Sequence, residues 1–511
     1  MSSVKTWLDQ AWFINISALV AGALFPLSMA PLQLWPLGLL SQAWLGFLAL
    51  RNPSFSPWSG WLYGFGFFGV GFSWVYESIR TVGTSLPAAA LMTLFFCMAL
   101  ALLFWCQIWI FKHLRAHRLN RDALLFVALW VVFEWLRTWF LTGLPWLYSG
   151  YSMTDTWLAG YAPIIGIFGI SSLTTAFAIW CAALAIRQHQ KQLIVLLLLT
   201  VSVLAGGYTL DGKTWVQVIN QPIKVVALQG NIDQRIKWES GQQLYNYQTY
   251  WDMTEQHLDA DLIVWPESSI TQLLSEAGGI LAELDQLGMS SHTGIIAGLI
   301  ADGMNNDGPV FYNSVVGLGL ASGRYNKTKL VPFGEYIPFS HALRGVLRIL
   351  DIPMSSLTPG HNKTATLKMG TLQLGQIICS EVTYPGLVMN TAEVSNLMVI
   401  VSNDAWFGDS LGPYQHLQIV RMRAMETQRP MVRATQDGIS AIIDYHGKIL
   451  TSAPKYVRTA LTHELSPVTG ETPYMKFGYT WIISLWLLVV VFQALSGWFF
   501  KRRNKHIAES L

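Results

Sequence analysis

Three side chains of this sequence could carry out covalent chemistry together: a cysteine, a glutamate and a lysine. Cys379 ends the apolar run Leu372-Gln-Leu-Gly-Gln-Ile-Ile-Cys-Ser-Glu381. The other three cysteines, Cys97, Cys106 and Cys181, lie inside long apolar runs, so Cys379 is alone in its part of the chain. An unpaired thiol in an exported domain is a candidate nucleophile, the alternative being a buried Cys that packs as a small hydrophobe. A nucleophilic thiol needs a base to take its proton and a cation nearby, which lowers its pKa and stabilises the oxyanion formed on an attacked carbonyl. Glu267, in Leu262-Ile-Val-Trp-Pro-Glu-Ser268, follows three aliphatic residues and a Pro that ends the strand, a partly buried setting suited to a general base. The cation would come from Tyr325-Asn-Lys-Thr-Lys-Leu-Val-Pro-Phe-Gly-Glu335, which offers Lys327 and Lys329. Both are expected on one face of a strand, and residue type does not choose between them. A Trp-Pro-Glu turn alone can be purely structural; it is the coincidence of the three segments that points to chemistry.

The elements that must position these residues are legible as short β-rich runs. They are Ile223-Lys-Val-Val-Ala-Leu228, Leu262-Ile-Val-Trp265, Thr293-Gly-Ile-Ile-Ala-Gly298, Ser314-Val-Val-Gly317, Leu372 to Ile378 and Leu397-Met-Val-Ile-Val-Ser402. Polar stretches able to form helices, 240–258 and 415–429, lie among them. Near-continuous apolar strands alternating with helices predict an α/β domain with sheets buried on both faces and its chemistry at strand ends.

The rest of the chain belongs in a bilayer. Of 511 residues, 52% are hydrophobic, only 12% are charged and 23 are Trp, which is too apolar for a soluble protein of this size. Runs long enough to span a membrane fall at about 12–30, 34–50, 58–79, 86–111, 122–142, 160–186, 192–209 and 478–499, about eight helices. The expected domains are a transmembrane domain at 1–209, an α/β domain at 210–477 and a C-terminal helix with its tail at 478–511. Lys112, Arg115, Arg118 and Arg121, then Arg187 and Lys191, and finally Lys501, Arg502, Arg503 and Lys505 mark one side, whereas 31–33 and 143–159 carry no Lys or Arg. Both termini are therefore expected in the cytoplasm and 210–477 in the periplasm of a bacterial inner membrane. Ser28-Met29-Ala30 resembles a cleavage site, but further spans follow at once, so the first helix reads as an uncleaved anchor. The net charge of +3 gives no basis for a nucleic-acid partner.

Two features of the membrane half could be structural or functional. Leu144-Pro-Trp-Leu-Tyr-Ser-Gly-Tyr151 is an aromatic loop suited to an interfacial belt or to handling lipid. Glu134 and Arg137 stand three apart in the fifth helix, close enough to pair, and could form either a structural ion pair or a functional group at membrane depth.

Glu267 after Trp-Pro, Lys327 after Tyr-Asn and Cys379 before an acidic neighbourhood resemble the Glu-Lys-Cys triad of the nitrilase superfamily. More narrowly, the chain resembles the apolipoprotein N-acyltransferases, the integral-membrane members of that superfamily. The resemblance extends to Gly64-Phe-Gly-Phe-Phe-Gly with Trp74-Val-Tyr, Leu141-Thr-Gly-Leu-Pro-Trp146, Gln229-Gly-Asn231 with Lys237-Trp238, Leu330-Val-Pro-Phe-Gly-Glu335, Ser402-Asn-Asp-Ala-Trp-Phe-Gly408 and Gly412-Pro with Gln415-His416. It implies an α-helical membrane domain joined to an α-β-β-α sandwich, with Glu267 as base, Lys327 as the lysine and Cys379 as nucleophile. It further implies that Glu335 and Glu381 support the triad, that Trp238 sits on a loop over the mouth, and that Ser380 and Trp406 contact substrate. Ser380 departs from the Tyr usual beside the nucleophile, and Gln436-Asp-Gly438 from the usual Asn-Asn-Gly.

The activity implied is transfer of an acyl chain from a membrane phospholipid, through a Cys thioester, to the α-amino group of a diacylglyceryl apolipoprotein. No cofactor is called for, and no His/Cys spacing reads as a zinc site. A membrane-tethered amidase or nitrilase, with water as acceptor, and a non-catalytic lipid-binding paralogue are the alternatives.

Overall fold

The computed structural model describes residues 8–52, 54–81, 83–187, 190–239, 241–306, 308–337, 357–361 and 365–509, and of 190 and 499–509 the backbone alone. The chain forms two compact units, one of Met1–Lys213, Asp409–Gln418 and Phe477–Leu511, the other of Thr214–Gly408 and Ile419–Lys476.

The first unit is helical. Its helices are α1 (Ala11–Leu24), α2 (Trp35–Arg51), α3 (Pro57–Gly71), α4 (Trp74–Thr81), α5 (Leu86–Leu114), α6 (Leu119–Leu136), α7 (Ala162–Arg187), α8 (Gln190–Leu210) and, at the C-terminal end, α14 (Thr480–Glu509). Each of the eight apolar runs is helical, but their limits differ from the sequence reading. The 58–79 run divides at Phe72 and Ser73 into α3 and α4, and the 122–142 run ends its helix at Leu136, after which Leu141 adopts φ +49°. Among the described residues, five helical segments are long and apolar enough to cross a membrane: Ala11–Ser28, Leu86–Leu114, Trp157–Arg187, Lys191–Leu210 and Thr480–Trp498. Of the others, α2 has 17 residues, α3 has 15, and α6 carries Arg121, Asp122 and Glu134. The protein is a membrane protein.

Close packing explains the glycine-rich run of α3. A Cβ on Gly66 would stand 2.2 Å from the Leu19 carbonyl oxygen of α1, so the two backbones approach only because the residue has none. Ser56 and Ser59 form a reciprocal cap that starts the same helix, with Pro57 in its first turn.

Glu134 and Arg137 do not pair directly. Glu134 accepts hydrogen bonds from Trp130 Nε1 (2.9 Å), Ser149 N (2.7 Å) and Ser149 Oγ (2.8 Å), while Arg137 donates to the carbonyls of Trp146 (2.9 Å) and Leu147 (3.4 Å). Both side chains fix the aromatic loop 144–151, satisfying the Trp146 and Leu147 carbonyls and the Ser149 N–H that leads into the 3₁₀ turn Ser149–Met153. Trp146 in turn donates from Nε1 to Gln415 Oε1 at 2.8 Å, within the same unit.

The second unit is a layered α/β structure. In chain order its elements are β1 (Gln217–Val218), β2 (Ile223–Gln229), α9 (Gln243–Glu255), β3 (Leu262–Val264), α10 (Gly278–Ser291), β4 (Gly294–Asn305), β5 (Gly308–Gly319) and β6 (Ala321–Asn326). There follow β7 (Thr366–Met369), β8 (Leu372–Ile378), α11 (Pro385–Glu393), β9 (Leu397–Ser402), α12 (Gly412–Thr427, of which residues from Ile419 belong here), β10 (Met431–Thr435), β11 (Ala441–Ile443), β12 (Ile449–Ser452), β13 (Thr459–Leu465), β14 (Val468–Thr469) and α13 (Pro473–Phe477). Twelve strands pair in the order β12-β11-β10-β9-β8-β7-β6-β5-β4-β3-β2-β13. The ribbon has two similar halves: β2-β3-β4 run parallel in one and β8-β9-β10 in the other, each flanked by antiparallel strands.

The halves pack face to face. Val225, Ala227, Leu262 and Val264 share one core with Leu374, Ile378, Val399 and Val401, whereas Val226, Leu228 and Ile263 turn outward to Tyr250 and Met253 of α9 and Leu284 of α10. Alternate residues of one strand thus enter different cores, which is why β2 and β9 read as unbroken apolar runs. α11 covers the outer face of the second half, where a Cβ on Gly375 would stand 3.0 Å from Thr391.

Candidate active site

Each reactive residue sits where a strand stops. Glu267 lies three residues beyond β3 and Cys379 immediately beyond β8, at the carboxyl ends of parallel strands, the usual place for chemistry in such sheets. Lys327 follows β6, its backbone N–H donating to the Asn313 carbonyl at 2.8 Å. The strand therefore ends before Lys327, which corrects the expectation that Lys327 and Lys329 share a strand face. The turn after β6 separates them: Lys327 is 1% exposed, whereas Lys329 is exposed, with its ammonium 5.6 Å from the Tyr384 ring.

The buried Lys327 ammonium sits between two carboxylates, donating to Glu335 Oε1 at 2.9 Å and lying 3.8 Å from Glu267 Oε1. Asn313 Nδ2 bridges the same pair, donating to Glu267 Oε1 at 2.6 Å and to Glu335 Oε1 at 2.9 Å. The second oxygen of Glu267 accepts the Asn403 N–H at 2.7 Å, and that of Glu335 accepts the Val331 N–H at 2.8 Å. Burial alone would depress the lysine's pKa, but the fields of Glu335, Glu267 and Cys379 reverse this and raise it above its ordinary value. Lys327 therefore keeps its proton across any working pH.

Cys379 opens a short 3₁₀ turn, Cys379–Thr383, with φ +52°, a left-handed conformation that is strained for a non-glycine residue. Burial pushes its thiol pKa to about 12, with Glu267 and Asp404 adding to the rise and Lys327 and the Ser402 hydroxyl opposing it. Glu381 anchors this turn to the lysine segment. Its Oε1 accepts from Tyr325 OH (2.8 Å), Thr328 N (2.7 Å), Thr328 Oγ1 (2.9 Å) and Lys329 N (3.1 Å), and its Oε2 from Ile378 N (2.9 Å). Burial raises the Glu381 pKa, and these donors pull it back. Glu335 and Glu381 are thus held by specific donors rather than solvated on loops.

Of the three substrate-contact candidates, Ser380 adjoins Cys379 in its turn. Ser380 is half-buried, and its carbonyl accepts the Thr383 hydroxyl at 2.7 Å. Trp238 is 48% exposed and Trp406 38%, and neither makes a hydrogen bond or ring contact to the Glu-Lys-Cys group among the described residues. The Trp238 ring lies 5.9 Å from the Lys237 ammonium. The roles of Asn313 and Asn403 were not visible in the sequence. Asn403 stands inside a quoted motif, but only the fold turns its backbone N–H toward Glu267.

The position of Glu267 depends on one small residue of β4. A Cβ on Gly298 would stand 2.6 Å from the Pro266 carbonyl oxygen, 2.6 Å from Ser268 N and 2.8 Å from Glu267 Cα, all backbone atoms that cannot swing aside. Gly298→Ala should push the Glu267 turn off its site and lower turnover about 100-fold, since displacements near 1 Å cost that much. Steady-state kinetics of the purified variant check this, and an unchanged rate would show that the turn can move freely.

Two family models match the chain: the apolipoprotein N-acyltransferase N-terminal domain over residues 21–184 and the carbon-nitrogen hydrolase domain over 224–474. The apolipoprotein N-acyltransferase of Azotobacter vinelandii is 40% identical over 507 residues, covering 98% of this chain and 97% of the relative. That of Pseudomonas aeruginosa is 39% identical over 505 residues (94% and 97%), and that of Coxiella burnetii 36% over 495 (94% and 99%). Among solved structures, a carbon-nitrogen hydrolase superfamily protein from Xanthomonas campestris matches 48% of this chain and 90% of its own, at 16% identity and TM-score 0.37. An amidase of the nitrilase superfamily from Nesterenkonia matches 53% and 99%, at 16% identity and TM-score 0.38. With relatives this similar over nearly its whole length, the chain belongs to the apolipoprotein N-acyltransferases, membrane enzymes whose second unit has the carbon-nitrogen hydrolase fold.

Proposed function

We propose that the chain moves a fatty acyl group from a membrane phospholipid to the α-amino group of the diacylglyceryl-modified N-terminal Cys of apolipoproteins, with Glu267, Lys327 and Cys379 as its catalytic residues. The observation that carries the assignment of residues is the burial of Glu267, Lys327 and Cys379 in one electrostatically coupled group. In the first half-reaction Glu267 takes the Sγ proton as the sulfur attacks the ester carbonyl carbon. Lys327 stabilises the oxyanion of the tetrahedral intermediate. The C–O bond to the glycerol breaks, the glycerol oxygen takes the proton from Glu267, and the lysophospholipid leaves an acyl thioester on Cys379. In the second half the acceptor amine attacks the thioester while Glu267 takes an N–H proton. The C–S bond breaks, and the thiolate recovers that proton.

Burial outweighs the field of Lys327 and raises the thiol's pKa instead of lowering it, so this reading requires Glu267 to take the proton as the sulfur attacks. Both substrates are lipid-anchored, and so the catalytic centre has to be served from a bilayer surface. The Lys and Arg bias of the loops supports an inner-membrane location, with the catalytic unit in the periplasm and both termini in the cytoplasm.

The purified enzyme, given phospholipid and a synthetic diacylglyceryl lipopeptide with a free amino terminus, should yield lysophospholipid and N-acyl lipopeptide in equal amounts, read by mass spectrometry. Free fatty acid as the main product would instead identify a hydrolase.

A further inference from the structure

Beneath Glu267 lies a second charged residue that the reaction as described does not use. Lys237 is 0% exposed, and its ammonium donates to the backbone carbonyl of Glu267 at 3.4 Å. Its own carbonyl accepts from Asn246 Nδ2 at 2.8 Å, which fixes the residue from the α9 side. Three residues earlier, Gln234 Oε1 accepts from Asn403 Nδ2 at 2.8 Å, and the backbone N–H of that same Asn403 is the donor to Glu267 Oε2. The segment 231–239, which carries Trp238 at the surface, is therefore tied to the backbone of Glu267 and to a donor of its carboxylate. A buried ammonium needs a counter-charge. Glu267 supplies the larger field and Asp437 a second one through space: the Asp437 Oδ1 is buried with no hydrogen-bond donor against it, and no direct salt bridge joins it to Lys237 among the described residues.

We propose that Lys237, in its charged form and with Asp437 as counter-charge, is a positioning residue that holds the Glu267 turn and the Trp238 loop in one working arrangement. The inference rests on the reading of Glu267 as the base. Lys237 acts through Glu267 and touches no reacting atom. The charged groups acting on Lys237 are Glu267 and Asp437; those acting on Asp437 are Asp404, Lys237 and Lys455, and Asp404 is itself bound to Arg433 at 2.5 Å. Burial lowers the Lys237 pKa to about 8 against the opposing fields of Glu267 and Asp437, and burial with the field of Asp404 raises that of Asp437 to about 7. When Asp437 is charged, its field favours the ammonium form of Lys237.

The test is the first-order rate of acyl-thioester formation on the full-length enzyme with phospholipid, followed by intact-protein mass spectrometry across pH. The wild type should lose rate above about pH 8 as Lys237 discharges. Lys237→Met should be about 100-fold slower on the plateau and should lack that alkaline limb. Asp437→Asn, a near-isosteric change that also covers the case in which Lys237→Met fails to fold, should match wild type at about pH 6, where Asp437 is neutral in both. At about pH 8 it should fall several-fold behind, its limb moved to lower pH because the charge favouring the ammonium is gone. Profiles of both variants that superimpose on wild type would overturn the proposal. Glu267→Gln serves as the reference: if it acylates at the wild-type rate, it is the reading of the base that fails; if it is inactive while Lys237→Met is normal, only the positioning role fails.

Discussion

A Cys379→Ala enzyme should carry no acyl adduct after incubation with phospholipid and should turn over about 10⁶-fold more slowly than wild type, the loss seen when a catalytic nucleophile is removed. The wild type should gain an acyl-sized mass that neutral hydroxylamine removes. The magnitude follows from the setting of the thiol. Burial raises the pKa of the thiol, so on the proposed reading attack depends on Glu267 taking its proton. No other cysteine among the described residues of the α/β unit can replace it, because Cys97, Cys106 and Cys181 belong to the helical unit. Alanine keeps the Cβ at a backbone already held at φ +52°, so the loss of activity should come without a loss of fold. A variant that still forms a hydroxylamine-labile adduct would move the nucleophile elsewhere.

Lys327→Met should cost stability as well as rate. It removes the cation from between Glu267 and Glu335, whose Oε1 atoms share the Asn313 amide and lie 3.8 Å and 2.9 Å from the Lys327 ammonium. Leaving such a buried charge uncompensated costs about 3–5 kcal/mol, equivalent to a fall in Tm of roughly 10 °C for a unit of this size. The rate of thioester formation should fall by about 10³-fold or more as the oxyanion loses its cation. Thermal unfolding in detergent and the acylation assay read the two effects separately; a variant as stable as wild type would mean that the carboxylates find other partners. The sign of the pH dependence is distinctive. The folded-state pKa of Lys327 is raised, so its contribution to stability is complete below the unfolded-state value and is lost only as pH climbs through the higher folded one. An alkaline limb near pH 8 runs against the raised pKa of Lys327 and is the one proposed above for Lys237.

Of the three candidate residues, Glu267 and Cys379 follow strong strand signals, whereas the strand before Lys327 carries no apolar pattern. Leu372 to Ile378 and Leu397 to Ser402 coincide with β8 and β9, whose residues are apolar on both faces. By contrast β4 and β5 extend well beyond the expected 293–298 and 314–317, since their outer ends form an exposed hairpin through Asp302-Gly-Met-Asn305 that carries no apolar pattern. The strands β10 to β13 were not read from the sequence, being short and interrupted by turns. Choosing Lys327 over Lys329 required the resemblance, because alternation along a strand says nothing once the strand has ended. Asn313, Asn403 and Lys237 were invisible for a related reason. Their contributions come through an amide, a backbone N–H and a buried ammonium, whose partners lie 30 to 136 positions away or across a strand pair. No local pattern marks such contacts.

The two half-sheets divide the reactive group between them: Glu267 and Lys327 follow β3 and β6 in one, whereas Cys379 and the Asn403 N–H follow β8 and β9 in the other. Among the described residues the strands of the two halves pair at β6 and β7, through Ala321–Met369 and Ser322–Lys368. Until the inner faces of Val225, Val264, Ile378 and Val401 have docked, Cys379 and Glu267 belong to separate half-sheets. A nascent chain with its first half made has Glu267 and Lys327 but no Cys379, so the proposed acyl-transfer chemistry appears only with a late, long-range step of folding.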